Sequence, residues 1–486
     1  MITTITVFFP LVGAVLMLLM KSADKRTTRY TALGVAAVPL LLSLYIYFAH
    51  GTDLGATSLT QSFDWVASLG IGYRVGLDGL GFGMFFLSAL LTLIAVVASW
   101  DVSTNLRQYY AILFIAELGM LGVFAAQDLI LFYVFFEVTL IPMYLLVGIW
   151  GDENRRPAAI KFFIYTFFGS TVMLAGFLAL GILSGPNFSI EALNAGGALS
   201  RTAQIAIAAP ILVGLLIKVP AVPFHSWLLD VYVSSPISTN VVLSGILPKL
   251  GTYGLIKIAI PLLPQGVEPF LPYLAAFGVL NIIYGAFVAF MQTDLKALVA
   301  YSSIGTLGFI LLGLASGNAL GINGAVMQQV THGLYSALLF ILVGIIASRA
   351  GTRRIADLGG LAARMPWAGG LLALGAFAAM GVPGLAVFVS EFMTIMGGYT
   401  AFPVQGVLAA VGILLGAMYL LYMLQRVIFG PIKRPALAEA ADAGPMEMAA
   451  IVPLALLLVV LGIFPSVLIN VQRPAVEVVL AAIGGS

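Results

Sequence analysis

Long apolar stretches recur along the whole chain and are separated by short polar segments. A helix needs about 20 predominantly apolar residues to cross a bilayer. Fourteen such runs are present, near 2–20, 31–49, 80–99, 109–126, 128–149, 159–184, 205–225, 237–258, 270–292, 299–315, 324–347, 367–396, 405–429 and 448–471. The pattern predicts an all-α polytopic membrane protein with about 14 transmembrane helices, which form a single membrane domain over residues 1–486.

Two hydrophilic stretches interrupt this pattern. The segment 50–79 is polar and contains glycine, and we expect it to form a cap on the outer surface. The segment 430–447 reads PIKRPALAEAADAGPMEM and is typical of a cytoplasmic linker. No separate soluble domain is predicted.

Composition agrees with a membrane protein and excludes several functions. Hydrophobic residues make up 61% of the chain and charged residues only 9%, whereas a soluble protein has about 25% charged residues, which excludes a water-soluble enzyme. The net charge of +2 argues against a nucleic-acid partner. The chain has no cysteine and three histidines, which excludes thiolate and iron–sulfur sites and leaves little to hold a haem. We therefore expect no cofactor and no metal site in this chain.

The distribution of lysine and arginine predicts the orientation. Of the 22 basic residues, sixteen fall in loops on one side and three, Arg74, Arg201 and Arg473, in loops on the other. The sixteen are Lys21, Lys25, Arg26, Arg29, Arg107, Arg155, Arg156, Lys161, Lys296, Arg349, Arg353, Arg354, Arg364, Arg426, Lys433 and Arg434. Basic loops remain cytoplasmic, so both termini are predicted outside the cell's inner (plasma) membrane. Positive charges follow the first run rather than precede it, which favours an anchor over a cleaved signal peptide.

Six ionisable residues remain inside the predicted spans, namely Glu117, Glu137, Lys218, Lys249, Lys257 and Glu391. A charge at the centre of a membrane helix costs roughly 2.5–3.5 kcal/mol, so these groups should pair, change protonation state or face internal water. We expect function above all at Glu137, Lys218, Lys249 and Glu391, with a structural ion pair as the alternative. Glu117 could still reach an interface, and Lys257 lies close enough to a helix end to extend its amine towards water.

Two histidines are further candidates for proton transfer, because histidine titrates near neutral pH. His332 lies about eight residues into its span and is the better relay candidate, whereas His225 lies at the end of the seventh span. A histidine that is simply satisfied within the core is the alternative. Metal binding is disfavoured, because no thiol or carboxylate cluster accompanies either residue.

Helix breakers fall inside the seventh and twelfth spans. Lys218 precedes Pro220 and Pro223, and the twelfth span carries Gly381, Pro383 and Gly384 ahead of Glu391. A simple proline kink is one explanation. If 109–258 and 270–429 are two five-helix units, however, the broken helix is the fourth in each, and an odd helix number inverts one unit relative to the other. Paired interruptions of this kind indicate inverted-repeat transporters, which predicts two inverted repeats with broken helices 7 and 12, flanked by residues 1–99 and 448–486.

Six segments of the chain resemble sequence motifs of a known protein family. They are DLILFYVFFEVTLIPMYLLVGIWG (128–151), RRPAAIKFFIYTFFGS (155–170), KVPAVPFHSWL (218–228), AYSSIGTLGF (300–309), THGLYSALLFILVG (331–344) and VPGLAVFVSEF (382–392). Together they resemble the antiporter-like subunits of respiratory complex I, the NADH–quinone oxidoreductase, and most closely the M-chain family, the counterpart of mitochondrial subunit 4. Glu391 favours this family, since the L and N chains typically carry lysine there, and the L chain is longer, with a lateral C-terminal helix.

The resemblance implies a proton-translocating subunit driven by quinone reduction in partner subunits. Glu137 and Lys218 would form the carboxylate–lysine pair of a first half-channel, Lys249 the central relay and Glu391 the exit-side proton carrier of the second half. It also implies other membrane and peripheral subunits of complex I as partners, besides lipid, protons and internal water, and no redox cofactor in this chain. The alternatives are a subunit of an Mrp-type cation/proton antiporter, a stand-alone secondary transporter and a structural scaffold.

The sequence departs from the family at two places. The usual PDAH after HSWL reads Leu229, Asp230, Val231, Tyr232, and Thr306 stands where M chains often have histidine. We therefore expect a relay between Lys249 and Glu391 to depend more on water, Tyr232, Thr306 or His332.

Overall fold

The computed structural model describes residues 1–20, 24–51, 54, 57–195 and 199–484. Lys21, which the sequence places in a cytoplasmic loop, and parts of the 50–79 segment lie outside the described residues. Within these ranges, thirteen helical segments are long and apolar enough to cross a membrane. The remaining predicted run, 367–396, consists of two shorter helices. The predicted membrane fold of about 14 spans is confirmed, whereas the division into inverted repeats stays a prediction.

The N-terminal part contains a feature that the sequence analysis missed. Its elements are α1 (Ile2–Leu19), α2 (Lys25–His50), β1 (Ser58–Val66), a 3-10 turn (Ala67–Leu69), β2 (Ile71–Leu77) and α3 (Gly79–Ala98). The strands pair antiparallel, with Phe63 opposite Tyr73. The stretch expected to be an irregular cap is therefore partly a β-hairpin, because its aromatic, threonine and valine residues favour extended backbone.

The next part contains the first predicted five-helix unit. It comprises α4 (Leu106–Ala125), α5 (Leu129–Val138), α6 (Leu140–Trp150), α7 (Arg155–Leu183), α8 (Ile190–Ala195), α9 (Arg201–Lys218), α10 (Ser226–Ser234), α11 (Ile237–Gly245), α12 (Leu247–Gly254), a π-helical turn (Leu255–Ala259) and α13 (Ile260–Leu262). The fifth span is divided at Thr139 into α5 and α6. The seventh is longer than predicted, because α10 continues beyond the break.

The second predicted unit and the C-terminal region complete the bundle. Their elements are α14 (Pro264–Val267), a 3-10 turn (Glu268–Phe270), α15 (Leu271–Phe290), α16 (Leu295–Ala315), α17 (Ala319–Ala350), a 3-10 turn (Ile355–Asp357), α18 (Leu361–Arg364), α19 (Pro366–Ala379), α20 (Ala386–Ala401), α21 (Pro403–Val427), α22 (Pro435–Ala438), α23 (Pro445–Ile463) and α24 (Ser466–Ala482). The last predicted span ends earlier than expected, and α24 is a separate helix that packs on α3 and α17.

The bundle has an inner group of helices and an outer group. Helices α3, α4, α11, α12, α16 and α17 are almost fully buried, whereas α1, α2, α21 and α23 expose much of their apolar surface. We call the end of the bundle that carries β1 and β2 the hairpin face, and the opposite end, which carries Arg107, Arg353 and Lys433, the basic face. The ionisable residues of the spans lie mainly on or beside the inner helices, away from the surface that lipid would cover.

Candidate functional site

The break in the seventh span lies directly after Lys218. Helix α9 ends at this lysine and α10 begins at Ser226. Trp227 Nε1 donates to the Ile217 carbonyl at 3.0 Å, and the Val222 N–H donates to Asn281 Oδ1 at 2.8 Å. Protein side chains therefore satisfy backbone groups that the break exposes, as non-helical backbone inside a membrane requires.

Lys218 and Glu137 are neighbours without a direct ion pair. Lys218 is buried, with Nζ 4.5 Å from the centroid of the Phe136 ring and 6.0 Å from that of Phe162. Among the described residues, no carboxylate lies within 4.0 Å of this amine, and Glu137 Oε1 is buried with no hydrogen-bond partner in the described chain. The two charges still interact electrostatically. The two residues of the predicted pair are thus neighbours in the fold, but they do not form a direct salt bridge.

A further break, which the sequence analysis missed, lies beside Lys249. Helix α11 ends at Gly245 and α12 begins at Leu247, with Pro248 in its first turn. Proline has no N–H to bond the carbonyl four residues earlier, and that carbonyl belongs to Ser244. Lys249 Nζ donates to this same carbonyl at 2.5 Å. The central lysine thus satisfies the group that the adjacent proline leaves free, and Pro248 was the available signal.

Glu391 faces the break in the twelfth span. Helices α19 and α20 are separated by a turn in which Gly381 and Gly384 have φ angles of +69° and +93°. A Cβ atom at Gly381 would lie 2.8 Å from Glu391 Oε2, so glycine there leaves room for the carboxylate. Gln328 Nε2 is 3.4 Å from Glu391 Oε1. A cavity of about 20 Å³ beside Glu391 is also lined by Thr306 and Tyr419, and this volume accommodates about one water molecule.

Polar groups occupy the space between Lys249 and Glu391. His332 on α17 is fully buried, and neither ring nitrogen has a hydrogen-bond partner in the described chain. Its ring centroid lies 5.1 Å from that of Tyr335, whose hydroxyl hydrogen-bonds Thr306 Oγ1. His332 and Lys249 interact electrostatically. The structure therefore places His332 and Thr306 between the two predicted proton carriers.

The secondary candidates have different surroundings. Glu117 is fully buried and neither carboxylate oxygen has a partner in the described residues, so the expectation that it could reach an interface is wrong. His225 lies in the break of the seventh span, where Nε2 is 3.2 Å from the Tyr284 hydroxyl. The Tyr232 hydroxyl donates to the Leu243 carbonyl at 3.3 Å.

Three further charges are buried, although the sequence analysis did not count them among the ionisable residues of the spans. Only Lys296, expected in a loop, lies in a helix, whereas Asp78 and Asp128 precede α3 and α5 as N-caps. Asp78 pairs with Lys257 at 2.5 Å, so Lys257 does not extend freely towards water. Asp128 pairs with Arg74 of the hairpin at 2.6 Å. Lys296 is on α16 and donates to carbonyls at the end of α10, at 3.0 and 2.5 Å. Their burial depends on the hairpin and on α10, which the sequence analysis did not predict.

Ion pairs also connect neighbouring segments on the basic face. Lys161 pairs with Asp230 at 2.8 Å, so the departure from PDAH keeps a charged contact between α7 and α10. Arg434 Nη2 donates to Asp357 Oδ2 at 2.9 Å, and this hydrogen bond lowers the pKa of the partly exposed Asp357 carboxyl. Within the described ranges, no group of three or more histidine, aspartate and glutamate side chains is arranged to hold a metal ion.

Comparison with known proteins identifies the family. A sequence profile described as "NADH:quinone oxidoreductase/Mrp antiporter, TM" matches residues 126–416. The chain belongs to this family. It is 34% identical over 485 residues to the NADH-quinone oxidoreductase subunit M of Rickettsia bellii (strain RML369-C), covering 98% of both chains.

Solved structures show the same fold. A chain of respiratory complex I from Thermus thermophilus with bound NADH superposes with a TM-score of 0.92 at 30% identity, and the match covers 100% of both chains. A chain of the Mrp complex from Dietzia sp. DQ12-45-1b gives a TM-score of 0.87 at 20% identity over 99% of each chain, a likeness that concerns the fold alone. The resemblance deduced from the sequence motifs is confirmed.

Proposed function

We propose that this chain translocates protons as the M-type, antiporter-like membrane subunit of a respiratory NADH–quinone oxidoreductase. The observation that carries the proposal is the row of buried ionisable side chains Lys218, Lys249, His332 and Glu391 beside three broken spans. Buried ionisable groups inside membrane proteins commonly form proton relays. Electrons pass through partner subunits, and this chain contributes proton carriers.

The first half of the path works through the separation of Glu137 and Lys218. A nearby carboxylate stabilises a charged lysine, whereas burial away from water disfavours the charge. Movement of Glu137 towards Lys218 favours proton uptake by the lysine, and movement away favours proton release. The gap between the two groups is consistent with a pair that has more than one working distance.

The second half runs from Lys249 to Glu391. The proton passes from the Lys249 amine to His332, then past Tyr335 and Thr306 to the carboxylate of Glu391. The unpaired nitrogens of His332 support this order, because one can accept a proton while the other releases one. Water in the cavity beside Glu391 would complete the contact. His225 and Glu117 play secondary parts.

The proposed setting is the inner (plasma) membrane, with the basic face in the cytoplasm and the hairpin face outside. The proposed partners are the other membrane and peripheral subunits of the complex, and the chain binds no redox cofactor itself. Purification of the chain together with NADH-oxidising peripheral subunits would support this assignment. Purification as a functional single protein would instead favour a stand-alone transporter, and a complex without such peripheral subunits would favour an Mrp-type antiporter.

The first prediction concerns Lys218→Ala in the intact complex reconstituted into vesicles. We expect electron transfer from NADH to quinone to continue with a lower ratio of protons pumped to electrons transferred, because the first carrier is lost. Lys433→Ala is the matched control, since this lysine lies on the exposed basic face and donates to the Ala356 carbonyl. A normal ratio in Lys218→Ala would contradict the proposal.

A further inference from the structure

A second cavity enters the protein from the hairpin face and has no part in the path described above. Its volume is about 350 Å³, and its polar lining comes from the hairpin side of the bundle, from α8 and from the end of the eighth span. The polar and charged lining residues are Thr57, Asp78, Gln127, Glu191, Asn194 and Lys257. The volume is large enough for several water molecules.

A buried ion pair between Asp78 and Lys257 lies at the inner wall of this cavity. Lys257 Nζ lies 2.5 Å from Asp78 Oδ2, and both side chains are less than a tenth exposed. The other oxygen of Asp78 accepts the Gly81 N–H at 2.8 Å at the start of α3. The carboxylate is therefore fixed between a cation and a helix N-terminus, and Asp78 and Lys257 both line the cavity.

Lys257 of this ion pair lies on the same helical segment as Lys249, the proposed central relay. Lys249, Tyr253 and Lys257 follow one another at intervals of four residues, so they lie along one side of the segment. At about 1.5 Å per residue, the two lysine backbones are separated by roughly 12 Å. Lys257 lies in the π-helical turn Leu255–Ala259, and such turns occur frequently at functional sites.

Tyr253 provides a hydroxyl between the two lysines. Its Oη donates to the Phe124 carbonyl at 3.2 Å. A Cβ atom at Gly81 would lie 3.0 Å from Tyr253 Oη and 3.5 Å from Asp78 Oδ1. The hydroxyl and the carboxylate thus border the same small space, which the missing side chain of Gly81 leaves open.

We propose that Asp78 and Lys257 form a proton-release site on the hairpin face, which receives protons from Lys249 by way of Tyr253. The inference rests on the proposed function, because it assigns a second outlet to the same central lysine. It gives the first five-helix unit its own connection to the hairpin side, in addition to the route through Glu391.

The transfer conserves protons and charge. The Lys249 ammonium releases a proton towards the Tyr253 oxygen while the Tyr253 O–H releases its own proton towards Asp78, with internal water spanning the gaps. Protonation of Asp78 leaves the Lys257 ammonium without its counter-charge. That excess positive charge in a buried position favours release of the proton from Asp78 to cavity water, which restores the ion pair.

The test uses the intact complex in vesicles and compares three variants. Tyr253→Phe removes only the hydroxyl and keeps the ring that packs on Phe124 and Phe132. A double variant, Asp78→Asn with Lys257→Gln, removes both charges without leaving either one unpaired. Lys249→Ala serves as the reference for loss of the central carrier. We expect the first two to retain electron transfer with the ratio of protons to electrons lowered towards that of Lys249→Ala.

A matched control and a labelling experiment separate this role from a structural one. Tyr110→Phe removes another buried hydroxyl, which bonds Ser99 at 3.2 Å away from the proposed outlet, and should leave the ratio unchanged. Asn194→Cys in the cavity should react with a membrane-impermeant thiol reagent, and the attached group should lower the ratio. Ser62→Cys on the exposed hairpin should react without changing it.

The outcomes distinguish the two proposals. Normal pumping by both Tyr253→Phe and the double variant, with reduced pumping by Lys249→Ala, would overturn the outlet alone. Normal pumping by Lys249→Ala as well would overturn the proposed function and the outlet with it. Labelled Asn194→Cys that pumps normally would also contradict the outlet.

Discussion

The buried charges of this chain differ in how their neighbours satisfy them. Lys257 and Asp128 have a direct counter-charge, and Lys249 donates to a carbonyl. Glu117 and His332, in contrast, have no hydrogen-bond partner within the described residues. An unsatisfied polar group inside a protein is destabilising, so such groups persist where a change of protonation is useful. The proposed proton carriers include residues of both kinds, since Lys249 has a hydrogen-bond partner and His332 has none in the described chain.

The proposed relay between His332 and Glu391 depends on the Tyr335 hydroxyl. Tyr335→Phe keeps the ring beside His332 and removes the hydrogen bond to Thr306. We expect a loss of stability of only about 0.5–1.5 kcal/mol, measured by thermal unfolding, together with a clearly lower ratio of protons to electrons in reconstituted vesicles. Tyr109→Phe, which loses a buried hydrogen bond to Ser238 at 2.6 Å, is the control with a similar change in stability. Equal ratios in the two variants would contradict a relay through Tyr335.

The sequence predicted the central residues better than the peripheral ones. Lys218, Lys249 and Glu391 are conspicuous because each is an ionisable residue inside a long apolar run. The sequence pattern puts Asp78 and Lys296 in polar connections between predicted spans, where a charge normally needs no explanation. Their burial results from tertiary contacts that the local pattern does not contain, of Asp78 with Lys257 in the π-helical turn and of Lys296 with the end of α10.

Breaks in the seventh, eighth and twelfth spans determine where these side chains can act. The seventh and twelfth breaks were predicted because each combines two or three proline or glycine residues. The break in the eighth span contains only Gly245 and Pro248, which is weaker local information. It is distinguished by a hydrogen bond in the folded structure, in which the Lys249 amine replaces the backbone donor that Pro248 lacks.

Restoring that backbone donor should change the behaviour of Lys249. In Pro248→Ala, the new N–H can bond the Ser244 carbonyl and compete with the lysine amine. Because proline is tolerated in the first turn of a helix, where Pro248 lies, we expect stability to be retained while the ratio of protons to electrons falls. Thermal unfolding and pumping assays measure the two effects. Pro453→Ala in α23 is the control, and an unchanged ratio in Pro248→Ala would show that the break is not required.

At the scale of the whole molecule, the buried proposed carriers and the basic surface residues are distributed differently. The proposed carriers run across the inner helices from α9 to α20, whereas the basic residues cluster at one end of the bundle. A path across the bundle still needs access to both ends. The cavity lined by Asp78 and Lys257 gives such access on the hairpin face. The orientation of the bundle therefore decides the direction of transport.

The predicted orientation can be tested with introduced thiols, because the chain has no cysteine of its own. Ser62→Cys lies on the exposed hairpin and Ala436→Cys lies exposed on the basic face. If basic loops are cytoplasmic, a membrane-impermeant maleimide should label Ser62→Cys in spheroplasts and Ala436→Cys in inside-out vesicles, as measured by the mass of the isolated chain. Detergent-solubilised complex, in which both thiols should react, controls for accessibility. The reverse pattern would place the hairpin face in the cytoplasm, and the proposed proton outlet would then open on the uptake side.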